Sequence, residues 1–257
     1  MKIQGKPWAW IIVLLGIMYF FLPLLATFVF SLKETGSLSF VAYENIFHDA
    51  NFTYNFSYSI LWAVLTIIVG ILLMVPTAFV IRLRVPQART PVEFITLLPF
   101  VIPPIVYVFG LVRTYSQPPL LIVNSPFLLI AAYTMVSMPY MYRSVDIGLR
   151  AIDVRTLTEA AQSLGAGWST ILFRVILPNI RNAILSGAFL SFAIVVGELV
   201  LATYLAKPAF AKYMAYLMQQ KAYEPAAMAI ISFALTWIAM GIIQLVGRGQ
   251  AQVGAGH

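Results

Sequence analysis

Long apolar stretches separated by short polar ones set the pattern of this chain. They cover about residues 8–30, 56–81, 91–112, 126–142, 182–206 and 226–246. A run of roughly 20 apolar residues is long enough to cross the hydrocarbon core of a bilayer. The runs are continuous rather than alternating, which predicts six membrane helices and not a barrel. The first run follows Lys2 and Lys6, exceeds the length of a signal-peptide core and lacks a small-x-small exit, so it reads as a retained helix. Prolines interrupt several runs: Pro23, Pro76, and Pro99, Pro103 and Pro104 in LLPFVIPPIV. Lipid-embedded helices tolerate such breaks when neighbours satisfy the freed backbone groups.

One polar segment, residues 143–181, is too long to be a simple connector. Asp153 is placed to cap a short helix, because its carboxylate can accept the free amide protons of the first turn. Val154, Leu157, Ala161 and Leu164 then recur at helical spacing as one apolar stripe. Arg155 and Glu159 stand four apart and can pair on the opposite side. Gly165 falls where a left-handed residue ends a helix, and Gly167 is expected to keep the turn open. A second helix is expected from about Ser169 or Thr170, carrying Ile171, Leu172, Val175 and Ile176, and ending at Pro178. The residues alone leave two uses for this segment. It can lie among lipid headgroups, or, with a thin face and small Ala160 and Ala161, dock against another protein.

Composition confirms the class. Of 257 residues 61% are apolar and 10% charged, against about 25% charged in a soluble domain. The net charge of +7 would suggest nucleic acid in a soluble protein; in a membrane chain it reads as inside-facing anchors, with no nucleic-acid partner. With the N-terminus inside, the inner segments hold eleven Lys and Arg and the outer ones five, which places both termini in the cytoplasm. Lys207, Lys212 and Lys221 in the last outer loop run against that count. There is no cysteine, which excludes disulfides and thiolate chemistry. The glycine-rich tail after the last run reads as disordered.

Glu198, in AIVVGELVLA, is the one acidic residue deep in an expected span. A carboxylate there costs about 2.5–3.5 kcal/mol, so it should face a cavity or a partner. It is a candidate for the translocation path, the alternative being a structural hydrogen bond. Pro103, with Pro104, can shape a broken helix along a path or merely kink one. Tyr204 and the loop residues Tyr213, Tyr216 and Tyr223 can meet an outside protein or form an interfacial aromatic belt. His48 is a lone loop histidine and not a metal ligand.

Glu159-Ala160-Ala161, with Gly165 four residues after Ala161 and Val175-Ile176-Leu177-Pro178 beyond it, resembles the EAA motif of bacterial binding-protein-dependent ABC importer permeases. That pattern reads E-A-A, three residues, G, nine residues, I-x-L-P; Val175 holds the isoleucine place, and Leu177-Pro178 match. The resemblance covers essentially the whole chain. It implies an all-α integral membrane protein with the type I importer (MetI-like) permease fold, a single domain over residues 1–257. It implies that residues 143–181 carry a coupling helix seated in a cleft of a cytoplasmic ATPase. Glu159 would meet a basic residue of that ATPase, and Gly165 would let the loop turn inside the cleft. Two ATPase subunits, a second permease (identical or homologous) and an external solute-binding protein would complete the assembly in the inner membrane. The chain would hold no cofactor and catalyse nothing: ATP and Mg would sit on the partner, in keeping with the lack of a G-x-x-x-x-G-K-[ST] loop here. Within the family the pattern is most similar to the polyamine group, whose relatives include iron(III) and phosphonate systems.

A stand-alone secondary transporter or channel would call for more intramembrane charges and inverted repeats of broken helices, and neither is evident. An intramembrane enzyme would call for a motif such as H-E-x-x-H or G-x-S-x-G, and the chain has neither.

Overall fold

The structure, a computed structural model, describes residues 7–34 and 37–248; Lys2, Lys6 and the tail from residue 249 lie outside them. It is helical apart from one small hairpin, β1 (Lys33–Glu34) with β2 (Ser37–Leu38). By its internal contacts the chain divides into two compact units, residues 1–53 with 213–237, and residues 54–212 with 238–257.

In the first unit, α1 (Pro7–Ser31) carries Pro23 without a break and leaves the window of its apolar stretch with no buried residue. The expected outer loop after it is largely ordered, with β1, β2 and α2 (Val41–His48) before the start of α3 (Ala50–Arg84). Asp49 caps the start of α3 by accepting the Asn51 amide at 2.8 Å, as an N-terminal carboxylate should. The Tyr213 hydroxyl, on α12 (Phe210–Gln220), donates a short hydrogen bond to the same carboxylate. That bond is the main cause of an Asp49 pKa below the ordinary value. Glu224, the first residue of α13 (Glu224–Arg248), accepts from Asn45 at 3.2 Å.

The second unit holds most of the core. A 3₁₀ turn (Pro86–Ala88) leads from α3 into α4 (Arg89–Val101), followed by α5 (Pro104–Tyr115). The expected third span, 91–112, is therefore not one helix: α4 and α5 meet at 97°. The cause is local. Ile102 precedes Pro103, and a residue before proline is forced out of the helical region; it takes ψ 117°, and Pro103, itself before Pro104, takes ψ 135°. Pro104 then opens α5, where a missing N–H costs nothing.

The fourth expected span, 126–142, lies within α6 (Pro126–Arg150), which starts at a Ser125 cap and buries residues along its whole length. The first stretch of the polar segment forms α7 (Val154–Ser163). Helical backbone then runs from Trp168 to Asn179 as α8 (Trp168–Thr170), a π-helical stretch (Ile171–Ile176) and α9 (Leu177–Asn179). It turns by 76° into α10 (Arg181–Gly197), so Pro178 lies inside the helix and the bend falls at Ile180. The fifth span, expected over 182–206, is also interrupted: α10 stops at Gly197, and α11 (Val200–Tyr204) follows after Glu198 and Leu199.

Two glycines let α6 and α10 meet backbone to backbone. A Cβ on Gly148 would stand 2.5 Å from that of Ala183, and one on Gly187 would stand 2.9 Å from the Met141 sulfur. Small residues at such crossings are how membrane helices gain packing without help from water. Around this seam α3, α6, α7 and residues 171–184 share one core, including Phe79, Met141, Leu149, Val154, Ile171 and Ile180. Among the described residues, three helices are long and apolar enough to cross a membrane, or up to five if each bent pair is one span; α6 is not among them.

Candidate coupling helix and membrane path

The first turn of α7 is fixed by Asp153. Its carboxylate accepts the Thr156 amide at 3.1 Å and the Thr156 hydroxyl at 2.8 Å. These two bonds hold the Asp153 pKa below the ordinary carboxylate value. At the other end the Ala166 amide reaches Ala161 O and the Gly165 amide reaches Gln162 O, the paired closure that needs a left-handed residue between them. Gly165 supplies it with φ +79°. Gly167 has no such role, since its backbone is ordinary extended chain (φ −76°, ψ 165°) and an added Cβ would meet nothing.

The helix has one fixed side and one open side. Val154 and Thr158 are buried, and Leu157 and Ala161 are half-buried against the core. Glu159 and Ala160 are exposed, and Arg155 pairs with Glu159 at 3.6 Å on the solvent face. Leu164, the last residue of the apolar stripe, is 89% exposed. It is the C-cap residue, with backbone no longer helical (φ −89°, ψ 8°), so the stripe's periodicity does not carry through to it.

Two arrangements escape a reading of the sequence. Arg84, at the end of α3, sets its guanidinium 4.4 Å from the centre of the Trp168 ring, and Phe79 meets the same ring edge-on; cation–π contacts of this kind favour arginine. The second is a closed ring of charge. From α4, Arg89 donates to Glu93 at 3.1 Å and reaches Asp146 at 3.5 Å; from α6, Arg150 donates to Glu93 at 3.2 Å and to Asp146 through Nε at 2.8 Å. Arg89 and Arg150 were counted above only as basic anchors. The signal was present in halves, since Arg89/Glu93 and Asp146/Arg150 are each four residues apart on a helix. Beside the ring lies a cleft of about 610 Å³ that Arg82, Asp153 and Arg155 also line.

The path candidates gather around α5 and α11. The Glu198 carboxylate accepts the amides of Val200 and Leu201 at 2.9 Å and of Ala202 at 3.4 Å. It thus caps α11 across the break, satisfying donors that an interrupted membrane helix would leave bare. Tyr204, at the far end of α11, packs its ring 5.0 Å from Phe109 of α5, and Pro103 forms the elbow from which α5 starts. Of the loop tyrosines, Tyr213 is buried and Tyr223 packs on Phe30, which leaves Tyr216 as the exposed member. His48 bonds the Glu44 carbonyl of its own helix at 2.8 Å.

Comparison with known proteins decides the family. Residues 75–249 match the family described as the binding-protein-dependent transport system inner membrane component. The chain belongs to that family. It is accordingly an ABC importer permease subunit of the inner membrane. A molybdate/tungstate transport system permease protein, WtpB of Pyrococcus abyssi, is 29% identical over 242 residues, 91% of this chain and 93% of that protein. A putative ferric transport system permease protein, FbpB 1 of Haemophilus influenzae, is 30% identical over 131 residues, 51% of this chain and 20% of that one. The fold agrees with a bacterial alginate ABC transporter solved with its alginate pentasaccharide-bound periplasmic protein: TM-score 0.70, 19% identity, 94% of each chain covered. The relatives found by sequence are named for molybdate or tungstate and for ferric iron; the ferric one is of the iron(III) kind expected beside the polyamine group, and the placement with polyamine permeases themselves finds no support in them.

Proposed function

We propose that this permease passes a small tetrahedral oxyanion, of the molybdate or tungstate kind, into the cell, and that α7 is the joint through which a separate ATPase drives it. The observation that carries the joint is the two-sidedness of α7. A lever must be rigid where it meets its own body and open where it is pushed. Val154 and Thr158 root this helix in the core, and caps hold both ends, while Glu159, Ala160 and Leu164 face outward. A partner that covers the exposed Leu164 would remove its apolar surface from water, next to the directed charge of Glu159. The basic end of α3 and the start of α4 then belong to the cytoplasmic side, in line with the count of basic residues. Two ATPases carrying ATP and Mg, a second permease and an external binding protein complete the assembly, with alternating access as the transport cycle.

The oxyanion reading rests on charge. A polycation would seek free carboxylates along its path. Glu198 is engaged by three backbone amides, and neither α5, α10 nor α11 carries another acidic residue. The relative matched over most of this chain is named for molybdate and tungstate.

Uptake into vesicles holding the permease with its ATPase and binding protein tests both parts. Labelled molybdate should accumulate with ATP and be competed by tungstate, not by spermidine; accumulation of spermidine without molybdate overturns the substrate. Leu164→Glu should leave the permease inserted and remove most of the co-purifying ATPase; full retention of the ATPase by that variant removes the docking role of α7.

A further inference from the structure

We infer that the ring Arg89–Glu93–Arg150–Asp146 is the link that passes motion of the coupling helix to the broken helix α4–α5, with Glu93 and Asp146 as positioning residues. This rests on the reading of α7 as the joint.

The ring fits that role better than it fits one in stability. Three of its side chains are 37–44% exposed, and only Asp146, at 10%, is withdrawn from solvent. Exposed pairs of this kind add little to stability. Apolar contacts also join α4 to its neighbours, through Phe100 on Tyr140 of α6 and Val92 on the core, but at the first turn of α4 the ring supplies the polar connection. Thr96 is the one residue of α4 that is buried, and Phe94, Ile95, Leu97 and Phe100 are exposed. The first turn of α4 is held to the last turns of α6 by four charged side chains, each carboxylate shared between both guanidiniums. Shared partners allow a small shift of one helix along the other with no charge left bare, which a packed seam such as Gly148 on Ala183 does not allow.

The ring also stands between the right elements. Arg150 ends α6, and α7 begins at Val154; Asp153, Val154 and Arg155 line the same cleft as Arg89, Asp146 and Arg150. Beyond the ring, α4 turns by 97° into α5, and Phe109 of α5 packs on Tyr204 of α11, the segment capped by Glu198. A push on α7 therefore has a continuous physical route to the break in α10–α11. Spatial continuity alone does not establish coupling, so the test reads motion directly.

The chain has no cysteine, so Val106→Cys on α5 and Phe127→Cys on α6 take spin labels without background. The labelled permease is assembled with its ATPase and binding protein, and the label distance is measured with and without a non-hydrolysable ATP analogue. Glu93→Gln should keep ATPase co-purification at the parent level, abolish the nucleotide-dependent distance change and lower solute moved per ATP at least tenfold. Inverting the ring (Arg89→Glu, Glu93→Arg, Asp146→Arg, Arg150→Glu) should restore at least half of the distance change. A Glu93→Gln permease that binds its ATPase and shows the parent distance change overturns the link alone. A parent permease that binds no ATPase overturns the joint, and the link with it.

Discussion

α1 and α6 are both 25 residues long, and both were expected to be spans, yet they are opposites. The apolar stretch of α1 has no buried residue, and most of its large side chains, from Trp8 to Phe30, stand exposed. α6 buries thirteen of its residues, among them Thr134, Ser137 and Asp146, and is not apolar enough to count as a membrane helix by composition. The difference teaches what hydropathy measures in a membrane protein. A helix bathed in hydrocarbon must be apolar on every side, because no water is there to satisfy a polar group. A helix surrounded by other helices needs fit more than apolarity, and it can carry hydroxyls and charges that its neighbours satisfy. High hydropathy thus does not require burial, and a run too polar to pass as a span by composition can be the most buried helix of its unit.

The sharpest way to break this comparison is to put the same side chain into both helices. Gly148→Leu drives carbon into Ala183 and Ile180, whereas Gly16→Leu meets nothing within 4 Å. The first should cut the yield of monodisperse permease at least tenfold, and the second should leave it unchanged, as read by size-exclusion chromatography in detergent. Equal losses would show that α1 is packed after all. Truncation sharpens it at lower amplitude. Met141→Ala, at a residue 1% exposed, should cost about 2–5 kcal/mol as a core cavity. Met18→Ala, at a residue 51% exposed, should stay within about 0.5 kcal/mol. Thermal unfolding of the solubilised protein separates the two.

Smaller effects distinguish α7 from both helices, since its ends are set by local chemistry. Gly165→Ala must hold φ +79° against about 1–2 kcal/mol of left-handed strain, and should reduce ATPase co-purification several-fold. Gly167→Ala should do nothing; equal losses from the two would return the requirement to Gly167. The least effect is expected from pH. The Thr156 hydroxyl and amide lower the Asp153 pKa, so its cap is complete above the unfolded carboxylate value of about 3.9 and fades only as pH falls through the lower folded value. ATPase co-purification should therefore show no Asp153-dependent change between about pH 8 and pH 5. A loss in that window that Asp153→Asn removes would contradict the cap.

Much of this was legible along the chain. The cap at Asp153, the turn at Gly165 and the four-apart pairing of Arg155 with Glu159 depend on neighbours within a few residues, and the structure has all three. The proline run showed that the third apolar stretch is interrupted. That the break is a 97° elbow also depends on where α5 can pack. The exposure of Leu164 and the ordinary extended backbone of Gly167 were not legible, because spacing alone does not say which residues of a stripe are covered and a glycine need not use its freedom.

What the sequence determined by itself is the class and the local devices: apolar runs of membrane length, a capped amphipathic helix between them and an acidic residue at a break. Only the tertiary structure decided which glycines stand against a neighbouring helix, that Arg84 covers Trp168 and that four charges on α4 and α6 close into a ring. The reason is one of range. Periodicity and capping act over a single helical turn and leave their mark on adjacent residues, whereas the partner of Gly148 is 35 positions away and that of Arg89 is 57. Contacts at that separation are fixed by how helices cross.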